Sequence, residues 1–100
     1  MEIKHEKDLC RFEVEVDGYK GYVDYKLVDG GLDIRHTIVP KEIGGRGIAS
    51  ALVKAAYDYA RAEGLKPVAT CSYAVTWLQR HPEYNGETGC DYGGEGTCAL

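Results

Sequence analysis

The sequence has little of several residue types that mark whole classes of protein. Its 100 residues include three prolines, four cysteines and a single methionine, tryptophan and phenylalanine. The cysteines are too few and too scattered for a disulfide-rich secreted scaffold, and none forms a C-x-x-C pair. Their spacing with the three histidines matches no zinc module. We therefore expect reduced thiols, no metal site, and no metal or redox role for Cys90 and Cys98.

Positive charge and long apolar runs are also scarce. Lys and Arg number 12 against 16 Asp and Glu, which gives a net charge of −4. This balance argues against nucleic acid as the main partner, because a duplex binder needs clustered cations to displace counterions. No apolar stretch approaches the roughly 18 residues that a membrane span needs, and the N-terminus lacks the apolar core of a secretory signal. The sequence predicts a cytoplasmic protein that engages no membrane.

What the sequence does contain is an ordinary globular composition, with 44% hydrophobic and 28% charged residues. The length allows one domain. Its first forty residues alternate between apolar and polar side chains, as half-buried strands do. Turn signals at Asp17-Gly18 and Asp29-Gly30-Gly31 divide this part of the chain. The pattern predicts an antiparallel meander of three strands, near residues 12–16, 19–28 and 32–39.

The middle of the chain changes to a helical period. Apolar residues recur at helical spacing from Gly47 to Glu63, and Gly64 is well placed as the left-handed stop. A short apolar strand from Pro67 to Cys71 follows, reached by a right-handed parallel crossover. Ser72 can serve as the N-cap of a second helix, from about Tyr73 to Arg80.

These elements predict a compact α+β (α/β) fold. Its order is a three-stranded antiparallel meander, a glycine loop, a helix, a parallel strand and a second helix, which His81-Pro82 ends. We expect His81 to cap that helix rather than to take part in chemistry. Residues 1–84 form the predicted domain. Residues 85–100 are glycine-rich and aperiodic, so we expect a loop-like tail.

The glycine loop between the third strand and the first helix is the most informative stretch. Its glycines let backbone N–H groups crowd toward a bound group, and the following helix N-terminus adds partial positive charge. Together they form an anion site suited to a pyrophosphate. The Walker pattern is absent, and a dinucleotide fingerprint fails at its last glycine and at the antiparallel strands before it. A glycine turn that simply opens a helix remains the alternative.

The residues around this loop resemble the acyl-coenzyme A signature of the GNAT superfamily of N-acetyltransferases, written Q/R-x-x-G-x-G/A. Several motifs, in the right order, are similar to the very small, single-domain branch of that superfamily. These motifs are His36-Thr37-x-Val39, Glu42-x-Gly44-Gly45-Arg46-Gly47-Ile48-Ala49, Ala60-Arg61, Cys71-Ser72-Tyr73 and His81-Pro82-Glu83-Tyr84. The resemblance covers about residues 3 to 84. One departure is Gly44, which stands where the signature has Gln or Arg.

The resemblance implies acetyl-coenzyme A as cosubstrate. Backbone groups at the end of the third strand would hold the pantetheine arm and the thioester; they belong to Thr37, Ile38 and Val39. Backbone N–H groups of the loop would bind the pyrophosphate; they belong to Gly45, Arg46, Gly47, Ile48 and Ala49. The guanidinium of Arg46 suits phosphate oxygens, and its alternative is a solvated loop arginine.

Three side chains are candidates for catalysis. Cys71 ends an inner strand before a helix N-terminus, where the dipole stabilises a thiolate. It is a candidate acyl-accepting nucleophile or proton relay, or else an inert core cysteine. His36 shares a face with Ile34 and Ile38, so we expect it inside, as a base near Cys71 or as a hydrogen-bonded core residue. Tyr73 is a candidate acid for the leaving thiolate, or a helix-packing residue.

The sequence therefore predicts an acetyl-coenzyme A-dependent N-acetyltransferase that acts on a primary amine. That amine belongs to a small molecule, or to a lysine or the N-terminus of a protein. One alternative is a coenzyme A-binding module without transferase activity, which the missing side chain at Gly44 favours. Another is a small interaction domain whose glycine loop is only a turn. The sequence leaves open the acceptor, the oligomeric state and the role of the tail.

Overall fold

The alternation of apolar and polar residues in the first part of the chain produces the predicted sheet. The computed structural model describes residues 2–28 and 30–88, which form a six-stranded sheet whose strands follow chain order. The first four strands pair antiparallel and the last two add in parallel, so the predicted meander and parallel crossover are confirmed. The strands are β1 (Lys4–Glu6), β2 (Arg11–Val16), β3 (Tyr19–Val28), β4 (Gly31–Ile38), β5 (Lys66–Ala69) and β6 (Glu87–Thr88).

Two helices complete the fold, α1 (Ile48–Ala62) and α2 (Ser72–Arg80). Short 3₁₀ turns at Lys7–Leu9, Lys41–Ile43 and Pro82–Tyr84 connect the elements. The sequence pattern indicated none of these turns, because three residues are too short to show a period. No helix in the described part of the chain is both long enough and apolar enough to cross a membrane.

A bulge in β4 changes which residues face the core. Asp24 pairs with His36 and Tyr25 with Ile34, so Arg35 has no residue directly opposite it on β3. One extra residue reverses the alternation beyond it. Thr37 is consequently buried and His36 is exposed. The prediction that His36 lies on the inner face was wrong for this reason.

The first helix packs its apolar stripe on the sheet and ends as its sequence predicts. Leu52, Val53 and Ala56 are fully buried. At the C-terminal end, Gly64 has a φ of +74°. The N–H of Leu65 donates to the carbonyl of Ala60 at 2.7 Å, and the N–H of Gly64 donates to that of Arg61 at 3.2 Å. This pair of bonds is a Schellman motif, which satisfies carbonyls that a helix end otherwise leaves without a partner.

The second helix begins one residue earlier than predicted. Its N-cap is Cys71, and no side chain caps it, so the predicted role of Ser72 as N-cap was wrong. The other end is as predicted, because His81 Nδ1 donates to the carbonyl of Trp77 at 2.8 Å. Trp77 Nε1 in turn donates to Ser50 Oγ on α1 at 2.9 Å and thereby joins the two helices.

The last strand falls in the segment for which the sequence predicted no regular structure. Residues 87 and 88 pair with Val68 and Ala69 of β5. The remainder of the predicted tail, including Cys90 and Cys98, lies outside the described residues.

Candidate functional site

The site is built where β4 and β5 separate. The two strands pair from Gly31 to Ile34, and the N–H groups of Thr70 and Cys71 both donate to the carbonyl of Ile34, at 3.0 and 3.1 Å. Beyond Ile34, β4 continues to Ile38 without pairing to β5. An unpaired strand edge offers backbone donors and acceptors to an extended ligand. Thr37 and Ile38, two of the predicted pantetheine-binding residues, lie on this stretch.

A buried carboxylate holds the strands together just before they separate. Asp33 is 3% exposed, and Thr70 Oγ1 lies 2.9 Å from each of its carboxylate oxygens. Arg35 Nη1 lies 3.2 Å from Asp33 Oδ2. The alternation of β4 indicated that Asp33 faces solvent, so sequence analysis missed this group. The available signal was an acidic residue directly between Leu32 and Ile34.

Cys71 lies between the C-terminal end of β5 and the start of α2, next to the point where β4 and β5 separate. It is fully buried, and its Sγ is 3.4 Å from Thr37 Oγ1, close enough for the hydroxyl to donate a hydrogen bond to the sulfur. Cys71 is disulfide-bonded in this structure, whereas Cys10 is a free thiol. The prediction of reduced thiols is therefore wrong at Cys71. Because a disulfide sulfur carries no thiolate, either predicted role of Cys71 requires prior reduction.

The glycine loop places a row of backbone N–H groups at the start of α1. Gly45 and Gly47 both have a φ of +76°, a conformation that strains other residues, and Gly47 is the N-cap of α1 without a side-chain cap. Among the described residues, the N–H groups of residues 45–50 donate to no backbone carbonyl. These groups and the helix dipole together suit an anion at the start of α1.

The loop opens onto a cavity of ≈ 380 Å³. The cavity joins the end of β4, the loop and the first turn of α2, and six of the predicted site residues line it. Its lining comprises Val39, Lys41, Gly44, Gly45, Gly47, Ile48, Ala49 and Tyr73. The donors, the lysine and the apolar walls fit the pyrophosphate and pantetheine parts of coenzyme A.

Other predicted residues lie apart from this cavity. Arg46 is exposed, and its Nη1 pairs with Asp17 Oδ2 at 2.6 Å, which connects the loop to the turn between β2 and β3. His36 lies opposite Asp24 on β3, and no hydrogen bond joins it to Cys71, although the structure describes both residues. In residues 2–28 and 30–88, no group of three or more His, Cys, Asp or Glu side chains is arranged to hold a metal ion.

Comparison with known proteins agrees with this geometry. A sequence model of the GCN5-related N-acetyl-transferase family matches residues 11–87. Protein NATD1 of Xenopus tropicalis is 34% identical over 82% of this chain and 78% of that protein. Protein NATD1 of Danio rerio is also 34% identical, over 84% of this chain and 81% of that protein. The NMR solution structure of a GCN5-like protein from Staphylococcus aureus has a TM-score of 0.68 at 32% identity, covering 88% of this chain and 87% of that one. The chain belongs to the GCN5-related N-acetyltransferase family, as the resemblance of its glycine loop implied.

Proposed function

We propose that this protein transfers the acetyl group of acetyl-coenzyme A to a primary amine, either of a small molecule or of a protein lysine or N-terminus. The observation that carries the proposal is the row of N–H groups at residues 45–50 without backbone acceptors, opening onto a cavity next to the fork of β4 and β5. Such donors bind a pyrophosphate, and an unpaired strand edge binds the amide-containing arm that follows it.

Three groups of residues bind different parts of acetyl-coenzyme A. The N–H groups of the loop, from Gly45 to Ala49, take the pyrophosphate, and Lys41 adds a positive charge on the cavity wall. The guanidinium of Arg46 reaches the phosphates when its exposed pair with Asp17 opens, which costs little because exposed ion pairs contribute little. The pantetheine arm lies along Thr37, Ile38 and Val39.

Acetyl transfer forms a carbon–nitrogen bond and breaks the carbon–sulfur bond of the thioester. A backbone N–H near Ile38 or Val39 stabilises the oxyanion that develops on the carbonyl. The half-buried Tyr73, which lines the cavity, donates a proton to the departing thiolate. The proton that the amine loses passes to solvent, because the exposed His36 lies apart from the cavity.

Two mechanisms assign different roles to Cys71. In direct transfer, the amine attacks the thioester within a ternary complex and Cys71 relays a proton or only packs. In the covalent mechanism, the acetyl group passes first to Cys71 and then to the amine. We favour direct transfer with Cys71 only packing, because proton relay and the covalent route both require a thiol that the disulfide occupies.

Steady-state kinetics on reduced protein with a panel of primary amines test the proposal. We expect saturable acetyl-transfer with intersecting initial-rate lines. Tyr73→Phe should lower kcat by about 100-fold with little change in acetyl-coenzyme A affinity, the usual size of a lost general acid. Tyr19→Phe, at a 42% exposed residue of β3, is the matched control and should leave kcat unchanged.

Cys71→Ala separates the two mechanisms. Full activity of this variant removes Cys71 from the chemistry. The covalent route is supported if the variant loses turnover but keeps its acetyl-coenzyme A affinity, and if the reduced wild-type protein gives parallel initial-rate lines. Acetyl-coenzyme A binding without acetylation of any amine by the reduced wild-type protein would contradict the proposal. That result would favour a non-catalytic acyl-coenzyme A-binding module, the second candidate, for which Gly44 and the disulfide at Cys71 argue.

A further inference from the structure

The fork between β4 and β5 is held by a side-chain link at its base. Asp33 of β4 is 3% exposed, and Thr70, which directly follows β5, is 4% exposed. We propose that this buried pair is a positioning device for the proposed reaction, which keeps the edge of β4 open to the pantetheine arm of acetyl-coenzyme A. The inference rests on the proposed function, since it concerns the same ligand, but it assigns a role to residues outside the cavity lining.

The backbone ends its pairing at the fork in a defined way. In a continuing parallel ladder, alternate N–H groups of one strand donate to alternate carbonyls of the other. Here two consecutive N–H groups, those of Thr70 and Cys71, donate to the same carbonyl of Ile34, at 3.0 and 3.1 Å. The chain after β5 therefore turns away, and β4 continues past Ile34 without pairing to it.

Asp33 connects the two features that produce this divergence. On one side, each of its carboxylate oxygens lies 2.9 Å from Thr70 Oγ1, so the two oxygens share the single hydroxyl proton. On the other side, Asp33 Oδ2 lies 3.2 Å from Nη1 of Arg35, the bulge residue of β4. One carboxylate thus fixes the bulge and the end of β5 relative to each other.

Stability alone does not account for a charge at this place. Burying a carboxylate is costly, and apolar residues of the same volume often stabilise a fold equally well or better. A hydrogen-bonded charge instead fixes the distance and the direction between the groups that it joins. An extended arm binds a strand edge only when the neighbouring strand stays clear of it, so a fixed fork lowers the cost of ordering the site on binding. The link should therefore affect the pantetheine arm and not the pyrophosphate, which the loop at the start of α1 binds.

NMR titrations of the reduced protein with acetyl-coenzyme A and with ADP test the inference, because ADP has the pyrophosphate but no pantetheine arm. Reduction removes the constraint that the disulfide places on Cys71, next to Thr70. Thr70→Val removes the hydroxyl at nearly constant volume. We expect it to raise the Kd for acetyl-coenzyme A about tenfold, the effect of one hydrogen bond to a charged group, and to leave the Kd for ADP unchanged. Thr70→Ser keeps a hydroxyl and should retain the wild-type values for both ligands.

Two further variants distinguish positioning from a general loss of stability. Asp33→Asn weakens the same link from the other strand, because an amide is a poorer acceptor than a carboxylate. It should raise the Kd for acetyl-coenzyme A alone, by about threefold, and it decides the question if Thr70→Val does not fold. Tyr84→Phe removes a hydrogen bond of 2.6 Å to Asp58 on α1, away from the fork, and should change neither Kd.

The comparison of the two ligands separates this inference from the proposed function. Unchanged acetyl-coenzyme A affinity in the Thr70→Val and Asp33→Asn variants, or equal weakening of acetyl-coenzyme A and ADP, would overturn the inference and leave the proposed function standing. Failure of the wild-type protein to bind acetyl-coenzyme A would overturn both.

Discussion

Gly44 differs in backbone conformation from the two glycines that follow it in the loop. Its φ is −69°, which any residue adopts, whereas Gly45 and Gly47 are left-handed. A Cβ at Gly44 would lie 3.4 Å from the carbonyl oxygen of Lys41, a close but tolerable contact. A Cβ therefore fits at position 44, where the family signature has Gln or Arg.

Gly44→Gln should restore that side chain. We expect the affinity for acetyl-coenzyme A to rise by about threefold to tenfold, the effect of one added hydrogen bond. Calorimetric titration measures this gain, and thermal unfolding checks that the fold is unchanged. Unaltered affinity in a folded variant would show that position 44 does not face the phosphates.

At the scale of the element, substitutions at the two ends of α1 distinguish an effect on ligand affinity from an effect on the stability of the fold. Gly47 precedes the helix with a φ of +76°, and Gly64 follows it with a φ of +74°. A Cβ at either glycine would meet nothing within 4 Å, so substitution affects only backbone conformation. Gly47→Ala and Gly64→Ala should each lower the free energy of unfolding by about 1 kcal/mol.

Only Gly47→Ala should weaken acetyl-coenzyme A binding, because only that end of the helix carries the N–H groups assigned to the pyrophosphate. Denaturant unfolding and calorimetry of the two variants, side by side, test this difference. Similar losses of affinity in both would mean that helix stability, rather than the donors of the loop, controls binding.

The sequence predicts these elements well because long periodic stretches carry a strong signal. The ten residues of β3 and the fifteen of α1 repeat their patterns several times. Arg35 shows the limit, since a single inserted residue next to the polar His36 leaves no trace in the alternation but exchanges the faces of His36 and Thr37. The two residues of β6 join the sheet through their backbone, which composition does not reveal. The glycine loop was predictable from its motif, whereas the Asp33–Thr70 link depends on residues 37 positions apart.

At the scale of the whole molecule, the N-terminal strand couples stability to pH through His5. Its Nε2 lies 2.6 Å from the hydroxyl of Tyr25, and its ring stacks on Phe12 with centroids 4.0 Å apart. Burial, with a contribution from the charge of Lys7, lowers the pKa of His5 below 6.5. The unfolded chain therefore binds this proton more readily than the folded one, and protonation favours unfolding.

The contribution of His5 to stability should be fully present above pH 6.5 and lost as the pH falls through the lower pKa of the folded state. We expect the free energy of unfolding, measured with denaturant, to fall between pH 7.5 and 5.5, and His5→Gln to reduce that fall. Identical pH profiles for wild-type protein and His5→Gln would contradict this assignment.

The chain has one tryptophan, and it joins α2 to α1 beside a cavity of ≈ 150 Å³ that Ser50, Tyr73 and Trp77 help to line. Trp77 is 4% exposed, bonded to Ser50 and stacked against an imidazole. Its fluorescence therefore arises from one shielded indole that lies against a second ring. Occupancy of the adjacent cavity should change the emission intensity of that indole. The protein thus contains its own optical probe, without a label, at the contact between its two helices and beside Tyr73 of the proposed acetyl-coenzyme A site.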